Sequence, residues 1–246
     1  MDMERPLVDA VPRYAPRPKG RTVRTVEPPI TKISDPVRFI LAETRILPVP
    51  HAPELRLHLA DEAVELWQRT ETELEVLGLP PPYWAFAWAG GQALARYLLD
   101  NPAVVRGRTV LDFGSGSGVV AIAAAKAGAA RVVAAEIDTF ARTAIGLNAL
   151  LNGVIVDLAE GDVLMTPAPG FDVILAGDMC YERPLAGQVI TWLRACMAGG
   201  ATVFLGDPGR AYLPKGELKA LATYTIPTTR ALEDAETKRT SVWTFV

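Results

Sequence analysis

The chain has 246 residues, of which 50% are apolar, and its formal net charge is −3. This size and composition are typical of one folded α/β domain with or without an extension, and they exclude a low-complexity protein. Apolar stretches stay below the roughly 18 residues that a membrane span requires, and two histidines and two cysteines without ligand spacing argue against a metal site.

The N-terminal segment, residues 1–30, differs from the rest of the chain in its density of prolines and basic side chains. Prolines disfavour a helix or an internal strand, so this segment is predicted to be an extended or disordered arm. Its early acidic residues also argue against a mitochondrial targeting helix, which is poor in acids. Residues 31–91 are predicted to form a small N-terminal cap, and residues 92–246 the main domain.

The cap is predicted to contain two helices and a half-exposed strand. The stretch SDPVRFILAETR predicts a helix capped by Ser34, ELRLHLA predicts the strand by its alternation, and residues 61–78 predict a second helix. The aromatics of YWAFAW alternate as they would on a strand. Trp84 and Phe86 are expected in the core, whereas Trp88 is expected to form the wall of a ligand site.

From residue 92 onward, apolar strands alternate with helices. Strands are predicted at 109–113, 131–138, 154–162, 171–178, 201–207, 222–230 and 240–246, with helices at 91–102, 119–128, 139–153 and 185–200. Strands that are apolar on both faces are typical of a parallel sheet covered by helices. The last two strands lack a helix between them and are predicted to pair antiparallel. The expected fold is a Rossmann-like, seven-stranded, mostly parallel α/β sheet, with Cys180 and Cys196 as buried free thiols.

Carboxylates stand at the ends of the first five strands of this domain. Ligands of such sheets bind outside the carboxyl ends of the strands. The first strand is followed by GSGSG, residues 114–118, and a glycine turn of this kind lets a ligand lie against the backbone. The pattern therefore predicts a ligand site at this edge. The strand-end acids are Asp112, Glu136 with Asp138, Glu160 with Asp162, Asp178 and Asp207.

Three classes of ligand are bound by a strand, a glycine turn and a helix. A nucleoside triphosphate is excluded because no Gly-Lys-Ser/Thr sequence follows the turn. A dinucleotide needs the spacing G-x-G-x-x-G and would be repelled by Asp112, although Glu136 fits its ribose acid, so an NAD-dependent oxidoreductase stays an alternative. S-adenosylmethionine carries a sulfonium and an α-amino group and has no phosphate, so the acidic edge favours it.

Each candidate residue then has a role toward S-adenosylmethionine. The three glycines would let its amino-acid end pass over the turn, and Asp112 would face the α-ammonium directly or through water. Glu136 would accept both ribose hydroxyls, and Asp162 would accept the adenine amine. The expected cofactor-binding residues are Trp88, Asp112, Gly114, Ser115, Gly116, Gly118, Glu136, Ile137 and Asp162.

A second candidate site follows the fourth strand in GDMCYERP, residues 177–184. Asp178 and Tyr181 would lie beside the transferable methyl group and are the expected catalytic residues. Enzymes that methylate adenine or glutamine usually have two prolines between the acid and the aromatic, whereas this chain has Met179 and Cys180. A cationic lysine side chain is therefore favoured as the acceptor. A small-molecule or nucleic-acid methyltransferase is the alternative. Binding of a nucleic acid would need a basic stripe, and with a net charge of −3 and acids at the strand ends the sequence shows none outside the N-terminal arm.

These motifs resemble the seven-β-strand protein lysine methyltransferases, and most closely the family that methylates the β-subunit of electron transfer flavoprotein. The resemblance runs from about residue 35 to the C-terminus. It rests on PPYWAFAWAGGQALARYLLDNP, VRGRTVLDFGSGSGVVAIAAAKAGAARVVAAEID, GDMCYE and GDPGR. One departure is Ala89, where relatives commonly have proline.

The resemblance implies S-adenosylmethionine as the cofactor and the flavoprotein β-subunit as the protein substrate. It places the family's D/E-x-x-Y/F motif at Asp178 and Tyr181, and gives Trp88 a part in the cofactor pocket. Arg210 of GDPGR is expected either to reach the substrate protein or to pair with an acid. A monomer in a bacterial cytoplasm is expected, without nucleic-acid or membrane partners; the mitochondrial matrix is the alternative, because the family's eukaryotic members are mitochondrial.

Overall fold

A computed structural model describes residues 35–60, 81–165 and 170–246. The predicted arm and the helix predicted at 61–78 lie outside the described residues. Helix α1, Pro36–Glu43, is capped by Asp35, whose carboxylate accepts a hydrogen bond from the amide of Arg38 at 3.0 Å. The capping residue is therefore one position later than the predicted Ser34.

Strands β1, Arg45–Val49, and β2, Ala52–Leu59, form an antiparallel hairpin in the cap. The sequence did not predict β1, because Pro48 and an irregular apolar pattern are atypical of a strand. In β2 the predicted alternation ends at His58, which is buried and whose amide donates to Asn148 Oδ1 at 2.7 Å. Asn148 Nδ2 donates in turn to the carbonyl of Ser117 at 2.8 Å, so the hairpin supports the glycine turn.

The aromatic stretch before the main domain is not a strand, as its alternation had suggested. Tyr83–Ala85 forms a single 3₁₀ turn. Trp84 and Phe86 are nevertheless in the core, with 2% and 5% of their surface exposed. They pack with Ile40 of α1 and with Phe140, so this turn ties the cap to the main domain.

The main sheet has seven strands in the order β5-β4-β3-β6-β7-β9-β8. Strands β3 to β7 pair parallel, and β9 pairs antiparallel with both β7 and β8, so the predicted fold class is confirmed. Strand β5 is shorter than predicted, because its sequence segment is largely exposed. The bounds are β3 Thr109–Phe113, β4 Arg131–Ala135, β5 Asp157–Leu158, β6 Val173–Gly177, β7 Thr202–Asp207, β8 Leu218–Pro227 and β9 Thr237–Phe245.

Helices cover both faces of the sheet. The helices are α2 Ala89–Asp100, α3 Val119–Lys126, α4 Thr139–Leu151, α5 Arg183–Ala198 and α6 Arg230–Glu233. Helix α6 lies between the last two strands, where the sequence predicted no helix, because a helix of four residues is too short to show an apolar period. Helices α2, α3 and α4 pack on one core, which contains Val110 and Leu175, and α5 packs on the other, which contains Leu111 and Ile174. Both cysteines are buried free thiols, as predicted. None of the described helices has the length and apolar character needed to cross a membrane.

The switch in strand order lies between β3 and β6, which are neighbours in the sheet although β4 and β5 intervene in the chain. The start of α2 lies close to this point. A Cβ on Gly90 would lie 2.2 Å from the carbonyl oxygen of Gly206 and 2.6 Å from Asp178 Oδ2. Glycine thus allows the helix backbone to contact the end of β7 directly.

Replacing Gly90 by alanine is expected to lower the free energy of unfolding by about 1–3 kcal/mol, because the new methyl group overlaps backbone atoms that cannot move alone. Gly146→Ala in α4 is the matched control: no neighbour lies within 4 Å of the position, and a gain of about 0.5–1 kcal/mol is expected. Chemical denaturation measures both values. Equal stability of the two variants would contradict the close approach.

Candidate active site

The three glycines of the turn after β3 differ in what surrounds them. All three have positive φ: 62° at Gly114, 52° at Gly116 and 81° at Gly118. A Cβ on Gly114 would lie 2.4 Å from Met179 Sδ, and one on Gly118 would lie 3.3 Å from Ile145 Cγ1. At Gly116 the nearest atom would be 4.0 Å away, so among the three this glycine faces open space. Gly116 therefore marks the place where a ligand can lie against the turn.

Asp112 supports the turn from inside the domain. It lies on the face of β3 that contacts α3 and is 1% exposed. Its Oδ2 accepts hydrogen bonds from the hydroxyl of Ser115 and, at 3.1 Å, from the amide of Ala121 in α3. Burial raises the pKa of Asp112 to about 7. These contacts fix the turn against the helix, and the predicted contact with an α-ammonium stays a prediction.

Glu136, at the end of β4, lies across from the turn. Its Oε2 accepts from the amide of Gly116 at 2.9 Å, and its Oε1 accepts from the amides of Ile137 at 2.7 Å and Asp138 at 3.0 Å. A carboxylate offers about four acceptor positions, so about one remains. Accepting two ribose hydroxyls, the predicted role, therefore requires at least one of these amide contacts to be released.

The two remaining candidates of the cofactor set near this edge are exposed. Ile137 is 74% exposed beside Glu136, and its predicted part in cofactor binding stays a prediction. Asp162 follows β5, and its Oδ1 accepts from the amide of Leu164 at 2.9 Å. The adenine contact predicted for Asp162 stays a prediction.

Asp178, the first expected catalytic residue, is held by three parts of the domain. It has a positive φ of 59°, and its amide donates to the carbonyl of Gly206 at 2.9 Å. Its Oδ2 accepts from the amide of Gly91 at the start of α2, at 2.9 Å. Its Oδ1 accepts from Arg210 Nη2 at 2.7 Å and from Nε at 3.2 Å. Of the two roles considered for Arg210, the structure shows pairing with an acid.

Three aromatic rings, those of Trp88, Tyr83 and Tyr181, contact one another in a row, and Tyr181 follows Asp178 by three residues. Tyr181, the second expected catalytic residue, has its ring centroid 5.8 Å from that of Tyr83, which is also 5.8 Å from the ring of Trp88. Trp88 Nε1 donates to the carbonyl of Tyr83 at 2.9 Å. Burial raises the pKa of Tyr181 to about 12, so its hydroxyl is a neutral donor. Tyr83 was not predicted; its place directly before the tryptophans was the available signal.

Two further acids complete the site, and neither role was visible in the sequence. Asp207 is 1% exposed, and its Oδ1 accepts from the amides of Gly209 at 2.6 Å and Arg210 at 2.7 Å. Burial raises the pKa of Asp207 to about 6. Glu233, in the connection between β8 and β9, accepts from Arg210 Nη2 at 3.0 Å through its Oε1. Both acids therefore position Arg210.

The arrangement fits S-adenosylmethionine. Open space at Gly116 lies beside the carboxylate of Glu136, and Met179, packed on Gly114, joins this turn to the segment that carries Asp178. Residues 92–179, which contain these groups, match the family model described as ribosomal protein L11 methyltransferase (PrmA). The fold and the site are those of an S-adenosylmethionine-dependent methyltransferase.

Comparison with known proteins identifies the family. The electron transfer flavoprotein beta subunit lysine methyltransferase of Rattus norvegicus is 40% identical over 199 residues, 78% of this chain and 77% of that protein. The protein of that name from Xenopus laevis is 38% identical over 226 residues, 89% and 91% of the two chains. The solved ribosomal protein L11 methylase from Lactobacillus delbrueckii subsp. bulgaricus is 23% identical, over 65% of this chain and 80% of that one, with a TM-score of 0.46. The chain belongs to the electron transfer flavoprotein beta subunit lysine methyltransferase family, and the oxidoreductase alternative is set aside.

Proposed function

We propose that this protein transfers a methyl group from S-adenosylmethionine to lysine side chains of the electron transfer flavoprotein beta subunit. The observation that carries the proposal is the anchored carboxylate of Asp178, in the segment whose Met179 packs on Gly114 of the glycine turn. The relatives' shared name supports the choice of substrate. The net charge of −3 and the acids at the strand ends favour a protein over a nucleic acid as the methyl acceptor.

S-adenosylmethionine supplies the methyl group: the N–C bond to lysine forms as the C–S bond of the sulfonium breaks and leaves a thioether. Gly116 and Glu136 would hold the donor at the turn, with Ile137 beside its base. Trp88 would form a wall of the cofactor pocket, and Tyr181 a wall of the acceptor site. Asp178 would orient the lysine nitrogen, so that most of the acceleration comes from alignment of the reacting atoms.

A lysine side chain must lose its proton before it can attack. With an ordinary pKa near 10.4, only about one side chain in 10³ is neutral at pH 7. Asp178 is a poor candidate for a strong base, because its carboxylate already accepts hydrogen bonds from Gly91 and Arg210. It therefore acts as an orienting group, and the proton passes to water.

The test is incubation of the purified protein with isotopically labelled S-adenosylmethionine and purified electron transfer flavoprotein, followed by mass spectrometry of both subunits. Methyl groups on lysines of the beta subunit are expected. Parallel reactions contain bulk tRNA or DNA in place of the flavoprotein. Label in a nucleic acid and none in the flavoprotein would contradict the proposal, provided that calorimetry shows binding of the cofactor.

A further inference from the structure

Arg210 joins the acid at the end of β6 to the C-terminal part of the domain. Its Nη2 donates to Asp178 Oδ1 at 2.7 Å and to Glu233 Oε1 at 3.0 Å, and its guanidinium carbon lies 6.0 Å from the ring centroid of Trp88. Its side chain is 20% exposed, and those of Asp178 and Glu233 are 11% and 3% exposed. Solvent screens the charges of such a shielded ion pair less than those of a surface pair. The charge of Arg210 therefore has a stronger electrostatic effect on Asp178 and on groups nearby.

The backbone and the side chain of Arg210 are both fixed. Asp207 holds the backbone through two amide hydrogen bonds, and Gly209 supplies the positive φ of 91° that the turn needs. Glu233 accepts a hydrogen bond from the guanidinium at 3.0 Å, and Lys238 Nζ lies 4.0 Å from Glu233 Oε2. The loop after β7 and helix α6 therefore present Arg210 to Asp178 in one defined position.

The contacts of Asp178 leave it little capacity for a substrate. Arg210 donates twice to Oδ1, and the amide of Gly91 donates once to Oδ2. Because a carboxylate has about four acceptor positions, about one is left, on Oδ2. One position is sufficient to orient a single N–H of an amine. It is a poor match for the three donors of an ammonium group.

We propose that Arg210 is a positioning residue of the methyl-transfer site, which offsets the negative charge of Asp178 toward the substrate lysine and so favours the neutral amine. This inference rests on the proposed function. An unpaired carboxylate would stabilise the ammonium form, which has no lone pair for the methyl group. Paired with Arg210, Asp178 still orients the nitrogen, and the ammonium proton is given to water before the N–C bond forms.

Three titratable groups beside the pair, Cys180, Tyr181 and Asp207, keep their charge in the wild-type protein over the range in which this can be measured. Burial raises the pKa of Cys180 and of Tyr181 to about 12 and that of Asp207 to about 6. In the wild-type protein, whose Arg210 lowers the pKa of all three, these groups therefore do not change charge between about pH 7 and pH 9.5, and a wild-type limb in that interval belongs to another group. The groups that interact with the pair directly are Tyr83, Cys180, Tyr181, Asp207 and Glu233. Behind them are Glu136 and Glu182, which interact with Tyr181, and Lys238, which interacts with Glu233.

The test compares Arg210→Gln with Arg210→Lys by the pH dependence of kcat, which reports ionisation in the bound complex. Two acceptors are used in parallel, electron transfer flavoprotein and poly-L-lysine. In Arg210→Gln the acidic limb is expected to move to higher pH by about one unit or more, so kcat at pH 7.5 falls about tenfold and recovers toward higher pH. KM is expected not to rise, because the uncompensated carboxylate binds the ammonium form.

Arg210→Lys keeps the charge but loses the planar fork, so kcat is expected to fall at every pH while the limb stays in place. Arg194→Gln is the matched control, since Arg194 forms an exposed pair with Glu217. Thermal unfolding is followed for each variant. Since Arg210→Gln leaves Glu233 buried without its arginine, the double variant Arg210→Gln/Glu233→Gln is measured beside it.

A uniform loss of kcat in Arg210→Gln, with an unmoved limb or a raised KM, would overturn the inference. Wild-type protein that methylates poly-L-lysine but not the flavoprotein would contradict only the proposed substrate. The role of Arg210 would then be tested by the pH dependence of kcat with poly-L-lysine as the acceptor. Wild-type protein that binds S-adenosylmethionine and methylates neither acceptor would overturn both.

Discussion

Replacing Asp178 by asparagine is expected to lower methyl transfer by about two orders of magnitude, while the affinity for S-adenosylmethionine changes by less than about threefold. The carboxylate is placed to orient the acceptor nitrogen, whereas the residues that would hold the donor lie around Gly116 and Glu136. The loss should therefore fall on turnover. Steady-state kinetics on the flavoprotein and calorimetry with the cofactor measure the two quantities separately.

The choice of asparagine follows from the backbone. Asp178 has a φ of 59°, a conformation that asparagine tolerates and that costs alanine roughly 1–2 kcal/mol. Asp178→Ala is expected to lose still more activity and also some stability. Among the described residues Asp234, with a φ of 56°, is the other non-glycine residue in this region, and it is exposed. Asp234→Ala therefore measures the backbone cost alone.

Normal turnover in Asp178→Asn would remove this residue from the mechanism. A parallel loss of cofactor affinity would instead show that the substitution acts through the start of α2, where Gly91 donates to the carboxylate. The ratio of the two effects thus separates orientation of the acceptor from support of the donor site.

Replacing Glu136 by alanine is expected to weaken binding of S-adenosylmethionine about 100-fold and to affect turnover at saturating cofactor much less. Hydrogen bonds to a charged acceptor contribute about 1.5–3 kcal/mol each, so the loss of one or two ribose contacts accounts for this size. Glu136→Gln keeps one oxygen acceptor and should show a smaller loss. Isothermal titration calorimetry gives both dissociation constants.

Glu136 also accepts three amide hydrogen bonds, including that of Gly116, so its removal loosens the turn itself. Unfolding measurements separate the two effects, because a loose turn lowers stability without ligand present. Asp157→Ala is the control, an exposed acid on β5 that pairs with Arg131 at the opposite end of β4. Unchanged cofactor affinity in Glu136→Ala would exclude Glu136 as the ribose acceptor.

The regular part of the domain could be predicted from the sequence because its signals are local. Apolar runs and turn residues predicted the strand–helix order from β3 to β7, the antiparallel final pair and the glycine turn. Prediction failed where a local pattern was ambiguous. Alternating aromatics at Trp84 and Phe86 suggested a strand where a 3₁₀ turn exists, and a strand containing proline was overlooked.

The sequence by itself determined the fold class, the glycine turn and the strand-end acids, since periodicity and turn chemistry act between near neighbours in the chain. Only the tertiary structure decided which of these acids work together. Arg210 meets Asp178 across 32 residues and Glu233 across 23, and Gly90 of α2 meets Gly206 of β7. No period in the sequence encodes such contacts, because they arise where the ends of β6 and β7 meet the start of α2 and the hairpin that carries α6.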